Sequence, residues 1–248
     1  LGRPEDPERL AYTRFLKSDD ITDVRIFQAE ARHFVRSQAG QRPYDVVLAS
    51  GVDTLTAIQT AGNALSENYL YTKDAVKDYL SVLSPRGQLA LTHWHLEPPT
   101  LALRMFATFL EVLDEQGVDD PGRRICVVSE GFWENAIVKK GEDYTQQEVE
   151  RLRQFAADAG FQVLWDPFID GDAIVKRPGD VMFRRLGRAS RAERQALLEA
   201  YPYDVRPVTD DRPYFYWIRG KRGAPSPSGW LYPMASAQWL LVLALAAA

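Results

Sequence analysis

Two apolar runs, each breaking into polar sequence at its C-terminal end, set the tightest limit on how this chain folds. Tyr44–Asp53 reads YDVVLASGVD, and Leu83–His95 reads LSPRGQLALTHWH. The first reads as a buried strand followed at once by a loop carrying polar and acidic groups. The second reads as a helix end, a Pro-Arg-Gly turn and another apolar strand. Near-continuous apolar strands belong to sheets covered on both faces. A polar loop at the carboxyl edge of such a strand is where an open parallel sheet builds its ligand crevice. The layout points to nucleotide or nucleoside chemistry.

The surrounding pattern alternates helix and strand. Leu10–Leu16 is weakly amphipathic, and Val24–Gln28 is a short strand entering AEARHF. Thr54–Leu65 is helix or loop above the crevice. Thr72 and Thr100 are placed to cap helices, the second closed by Gly117. Arg124–Val128 and Asn135–Lys139 look like paired strands, with antiparallel pairing open to them. Thr145-Gln146-Gln147-Glu148 and Ser190-Arg191-Ala192-Glu193 are capping boxes, the first opening a helix that ends at Gly160. Phe161–Trp165 is a further strand. Such alternation argues for an α/β, Rossmann-like sheet, mostly parallel. The expected divisions are residues 1–168 for this domain, 169–219 for a C-terminal extension, 220–229 for a linker and 230–248 for the start of a transmembrane helix.

Composition narrows the partners. The chain has 248 residues and a formal net charge of −4, so no basic footprint for nucleic acid stands out. Cys126 is the one cysteine. It sits in the apolar run ICVV, excludes a disulfide framework and suits a reducing compartment. Trp239–Ala248 (WLLVLALAAA) is uninterrupted apolar sequence, shorter than the roughly 20 residues that span a bilayer. It is read as the first half of a transmembrane helix, against the alternative of a terminal helix docked on the core. Arg219, Lys221 and Arg222 precede it, and positive flanking charge favours the cytoplasmic side.

Several residues are placed to carry chemistry. Glu30 lies where a strand ends, so its carboxylate can accept a hydrogen bond from an exocyclic amine or a hydroxyl. By spacing alone it reads more simply as a solvent-facing acid at the start of a helix, favourable near the positive helix end. Ser50 and Asp53 follow the Tyr44 strand. Asp53 can orient or deprotonate an amine, or cap the following helix. Asp45, at the opposite edge, reads as structural. His93 and His95 share one strand face and suit a polar crevice lining better than a metal site. His33 reads as a helix-surface residue. Thr209-Asp210-Asp211-Arg212-Pro213 reads as a turn locked by Asp and Pro, with cation binding the alternative.

EARHFVRSQAGQRPYDVV, followed by LSENYLYTKDAVKDYLSVLSPRGQLAL, resembles the spermidine synthase-like branch of the Rossmann-like methyltransferases. ASGVDT, HWHLEPPTLALRMFA and TDDRPYFYW are similar to its bacterial integral-membrane members. The resemblance covers roughly Ile21 to Trp217. It implies that Glu30, with Ala31, holds the adenine of S-adenosylmethionine or its decarboxylated form. It implies that Ser50 stands where spermidine synthases carry the proton-accepting aspartate, and that Asp53 is the second acid of that loop. Leu70 and Tyr71 resemble the segment that closes the site. The Gly-rich loop and the ribose-binding acid are expected upstream of Leu1. The expectation is aminopropyl transfer to an amine such as a polyamine, without a metal. The domain would be tethered to the bacterial inner membrane and face the cytoplasm, with a homo-oligomer left open. Methyl transfer and a non-catalytic nucleoside-sensing or assembly module stay open, the latter favoured by Ser50.

Overall fold

The computed structural model describes residues 4–5, 25–50, 67–170 and 175–224. The elements are β1 (Pro4–Glu5), β2 (Ile26–Phe27), α1 (Ala31–Ser37), β3 (Tyr44–Ala49), α2 (Lys73–Ser81), β4 (Leu83–Trp94), α3 (Leu101–Glu115), β5 (Ile125–Ser129), β6 (Trp133–Lys139), α4 (Gln146–Asp158), β7 (Gln162–Trp165), α5 (Val181–Arg188) and α6 (Arg191–Ala200). Short 3-10 turns at Pro121–Arg124 and Pro178–Asp180 precede β5 and α5.

Local chemistry explains most helix starts. The Thr72 hydroxyl accepts from the Ala75 amide at α2. Both capping boxes form, Thr145 with Glu148 at α4 and Ser190 with Glu193 at α6. Gly117 and Gly160 take positive φ just past α3 and α4, where only glycine is unstrained. Thr100 precedes α3 but makes no side-chain cap bond.

The sheet corrects the expectation of mostly parallel pairing. Its order is β3-β4-β6-β5-β7, and among the described residues only β3 and β4 pair in parallel. The pairs β4–β6, β6–β5 and β5–β7 are antiparallel. β3, β4 and β5 therefore share a direction, and β6 is a reversed strand inserted between two of them. A four-residue step from β5 to β6 (Ser129 to Trp133) suffices for a hairpin, which parallel strands cannot use. The Pro-Arg-Gly segment is no separate turn but lies within β4. There, a step of five positions from Leu83 to Gln88 opposes a step of two from Tyr44 to Val46, an irregularity in the ladder.

One apolar core lies under α2, α3 and α5, on the sheet face that carries Leu89, Leu91, Ala136 and Val127. α3 is buried nearly all round. Residues after Asp166 join the same core through Phe183, Leu186, Tyr203 and Phe215. Gly122 and Gly187 let the Pro121 turn and α5 close on Trp165, whose indole donates to the Gly122 carbonyl at 3.0 Å. Cys126, Tyr144 and Val149 form a small cluster on the opposite face.

β3 is a strand, as expected, but it is not buried. Val46 and Leu48 are 61% and 60% exposed, and among the described residues β3 pairs only with β4. Val24–Gln28 shrinks to β2, which pairs with β1 outside the main sheet. Residues 220–224 are not a free linker: Gly220 bridges Tyr203, and the Lys221 amide donates to the Pro202 carbonyl at 2.8 Å. The expected Leu10–Leu16 and Thr54–Leu65 elements, the rest of the linker and the segment 230–248 lie outside the described residues. Among those described, no helix is long and apolar enough to cross a membrane.

Candidate functional site

Glu30 is the N-cap of α1. Its carboxylate accepts from the Arg32 amide at 3.0 Å and the His33 amide at 2.6 Å. The helix-start reading is the correct local one, and β2 does not bring Glu30 to the edge of the main sheet. A carboxylate offers about four acceptor positions. Capping occupies two, so the exposed group retains the capacity to accept from a ligand. It lines a cleft of about 610 Å³, with Arg32, Arg36, Tyr69, Leu70 and Asp210.

The inner wall of that cleft is an ion cluster. Arg32, its side chain 5% exposed, donates to both oxygens of Asp210 at 2.7 and 2.8 Å, to Asp78 at 2.7 Å and to the Tyr69 carbonyl at 3.0 Å. Arg36 donates to the same Asp78 oxygen at 2.8 Å. Asp210 also accepts from the Thr72 hydroxyl at 2.7 Å, and its amide donates to Asp74 at 3.0 Å. Burial by itself would raise the Asp210 carboxyl, but the bonds from Arg32 and Thr72 outweigh it and hold the group below its ordinary range. The TDDRP stretch thus docks across α1 and α2. Its turn closes through Arg212, whose amide donates to the Thr209 carbonyl at 3.0 Å, and Asp210 is used on a distant arginine rather than on its own turn. The 67–70 segment is tied in by the Asn68 amide on the Pro213 carbonyl and by the Tyr79 hydroxyl on the Leu70 carbonyl. Tyr69 donates to Glu67 at 2.9 Å, and that bond raises its phenol above the ordinary value.

The expected site residues are only partly brought together. Glu30 and Leu70 meet in the cleft, joined by Tyr69, which was not among those expected; Ala31 is exposed beside Glu30 as the first residue of α1. Ser50 is exposed just after β3 and does not line the cleft. Asp53 lies outside the described residues. Tyr71 is buried, edge-on to His93 with centroids 4.3 Å apart. Asp45 accepts from the Ser84 hydroxyl at 3.0 Å, in keeping with a structural role, and His33 is exposed.

His93 and His95 share a face, as the alternation requires, but they line no crevice. Both are 2% exposed. His95 lies between Ser129 Oγ and Asp180 Oδ1, each at 2.7 Å. His93 is packed against Tyr71 and Phe215, and burial lowers its pKa to about 3. Its cross-strand partner Glu134 is fully buried, with neither oxygen bonded among the described residues. Burial raises that carboxyl well above its ordinary range. No group of three or more His, Cys, Asp or Glu gathers into a metal set among the described residues.

Sequence reasoning passed over Arg32, Asp78 and Asp210 as a unit. One signal was present. Arg32 and Arg36 stand four apart on one helix, a repulsive spacing unless acids face it. Comparison with family models, with curated proteins and with solved structures finds no match to this chain.

Proposed function

We propose that this chain is a spermidine synthase-like domain that binds S-adenosylmethionine or its decarboxylated form in the Glu30 cleft. From the decarboxylated form it would transfer an aminopropyl group to an amine such as a polyamine. The observation that carries the reading is the Glu30 carboxylate, held rigid by two backbone amides at the mouth of an open cleft with acceptor capacity to spare. A fixed carboxylate is suited to an exocyclic amine or a ribose hydroxyl. In the transfer step, the neutral amine attacks the propyl carbon bonded to sulfur. The C–S pair stays with sulfur, which leaves as methylthioadenosine, and the new ammonium loses its proton to Asp53 or to water. The basic residues Arg219, Lys221 and Arg222, ahead of the apolar run 239–248, support a membrane tether with the domain on the cytoplasmic side.

A specific observation favours a second reading. Ser50 presents an exposed hydroxyl where the resemblance places the proton-accepting aspartate, and a hydroxyl is a poor base near neutral pH. A non-catalytic nucleoside-binding module would need no base there.

Calorimetry on the full-length protein in detergent separates these readings. Decarboxylated S-adenosylmethionine is expected to bind more tightly than S-adenosylmethionine, with turnover of a polyamine acceptor. Glu30→Ser keeps an N-cap but removes the carboxylate, and is expected to weaken binding by about tenfold or more, the value of a charge-assisted hydrogen bond. Asp53→Asn should leave binding intact and reduce turnover. Binding without turnover selects the module, and preference for S-adenosylmethionine selects methyl transfer. No binding by any of these nucleosides, or binding indifferent to Glu30→Ser, overturns the assignment of the cleft.

A further inference from the structure

A second cleft lies on the other side of the TDDRP turn. Its volume is about 260 Å³, and it is lined in part by Arg104, Asp204, Arg206, Arg212, Tyr214 and Trp217. The lining holds three arginines and one carboxylate, a formal +2, in a chain whose net charge is −4. That concentration of positive charge is not needed to hold the fold at every position. Arg104, buried on α3, does hold the fold. Its guanidinium donates to the carbonyls of Tyr214, Phe215, Asp204 and Trp217, the first and last of these bonds at 3.3 and 3.2 Å. Arg206 grips Asp204 through Nε and Nη2 at 2.8 and 2.9 Å, leaving Nη1 unengaged among the described residues. Arg212 is exposed, and its side chain makes no hydrogen bond or ion pair among the described residues.

We propose that this cleft binds a phosphate ester, with Arg212 and the free edge of Arg206 as the direct donors and Arg104 as buried supporting charge. Three observations converge. The formal +2 matches a dianion rather than a single carboxylate. The guanidinium fork presents paired N–H donors that fit phosphate oxygens bidentately. The remaining wall combines Pro207, Val208 and Thr209 with two aromatic rings: Tyr214 and Trp217 stand perpendicular, with centroids 6.1 Å apart, and Arg219 stacks on Trp217 at 5.3 Å. Such amphipathic rings suit the apolar part of a phosphorylated alcohol. The volume falls near the low end of small-molecule sites, roughly 300–1,000 Å³, which fits a headgroup-sized ligand. This site is separate from the Glu30 cleft and does not depend on the reading given to it.

Free phosphate esters and phospholipid headgroups share this chemistry, and the test distinguishes them. The full-length chain is titrated with inorganic phosphate and with glycerol 3-phosphate at constant ionic strength. It is also floated with phosphatidylcholine vesicles with and without phosphatidylglycerol. Phosphate or glycerol 3-phosphate binding that Arg212→Gln weakens about tenfold or more, without dependence on phosphatidylglycerol, assigns a soluble ester. Flotation that requires phosphatidylglycerol, is lost in Arg212→Gln and is competed by free phosphate assigns a headgroup. Either result supports the site. Arg212→Lys keeps the charge but not the fork and should retain part of the affinity. Because Arg212 is exposed, both variants should match the parent in near-UV circular dichroism. Absence of both kinds of binding, binding unchanged in Arg212→Gln, or acetate binding as well as phosphate overturns the proposal.

Discussion

At the scale of single residues, Arg32 and Glu134 show opposite ways of burying charge. Arg32 is nearly enclosed, yet every edge of its guanidinium meets an acceptor, two of them carboxylates. Removing it leaves Asp78 and Asp210 with only the more exposed Arg36 as a cation. Their partial exposure moderates the cost, so Arg32→Gln is expected to lower unfolding free energy by about 2 kcal/mol. Urea denaturation measures this, and Arg32→Lys should recover only part of it because an ammonium lacks the fork. Glu134 has no such partners among the described residues, and burial raises its carboxyl well above the ordinary range. In the unfolded chain it ionises above about 4.3. Its raised folded value therefore costs nothing below that pH. Stability falls as pH rises further, by up to about 1.4 kcal/mol per unit, until the folded carboxyl ionises as well. Glu134→Gln removes that slope. Its melting temperature should exceed the parent's at pH 8, with the gap narrowing toward pH 5; an equal offset at every pH would count against this account. His93 acts in the other direction. Kept neutral by burial, it lowers stability as pH falls from about 6.5 toward 3.

At the scale of elements, the helix starts are modular. The boxes at Thr145 and Ser190 sit on different helices and share no partner. Thr145→Ala and Ser190→Ala should each cost about 1 kcal/mol, and the double variant about their sum. Thermal or urea unfolding reads both, and strong non-additivity would mean that α4 and α6 are coupled through the core. The Thr145 box also has a pH signature. Burial would raise Glu148, but the Thr145 amide, the Lys139 ammonium and the Thr145 hydroxyl outweigh it and hold the carboxyl at about 2. A depressed folded value gives stability that is complete above the unfolded pKa and is lost as pH falls toward 2. Glu148→Gln should therefore flatten the acid limb of the stability curve between about pH 4 and 2.

At the scale of the whole molecule, the unusual feature is the end of the sheet left open among the described residues. α2, α3 and α5 cover one face, α4 lies near β7 on the other, and Val46 and Leu48 stand uncovered at β3. An edge strand with exposed apolar side chains invites pairing with another chain. A net charge of only −4 gives weak repulsion against it. The protein is expected to self-associate with rising concentration, and Leu48→Lys should suppress this, as read by light scattering behind size-exclusion chromatography. Unchanged association in Leu48→Lys would place the contact elsewhere.

The sequence alone determined where several helices begin and end, because caps, positive-φ glycines and apolar periodicity act within a few residues. Thr72, Thr145, Ser190, Gly117 and Gly160 were legible for that reason, as was the pairing of β5 with β6, whose antiparallel direction the sequence had left open. The apolar run around Cys126, buried in the fold, and the shared face of His93 and His95 followed from the same local rules. Tertiary structure decided the rest. A strand's own residues do not state which strands flank it, so the mostly antiparallel pairing could not be read from alternating helices and strands. The same limit hid the exposure of Val46 and Leu48, since an apolar run is buried only if something covers it. The histidines' exposure was equally undecided, because Tyr71, Phe183 and Phe215 reach them from distant elements. The site shows the limit most sharply: Glu30 was visible as an acid at a helix start, but Arg32 meets Asp210 across 178 residues of sequence, a contact made only when the late TDDRP turn folds back over α1 and α2.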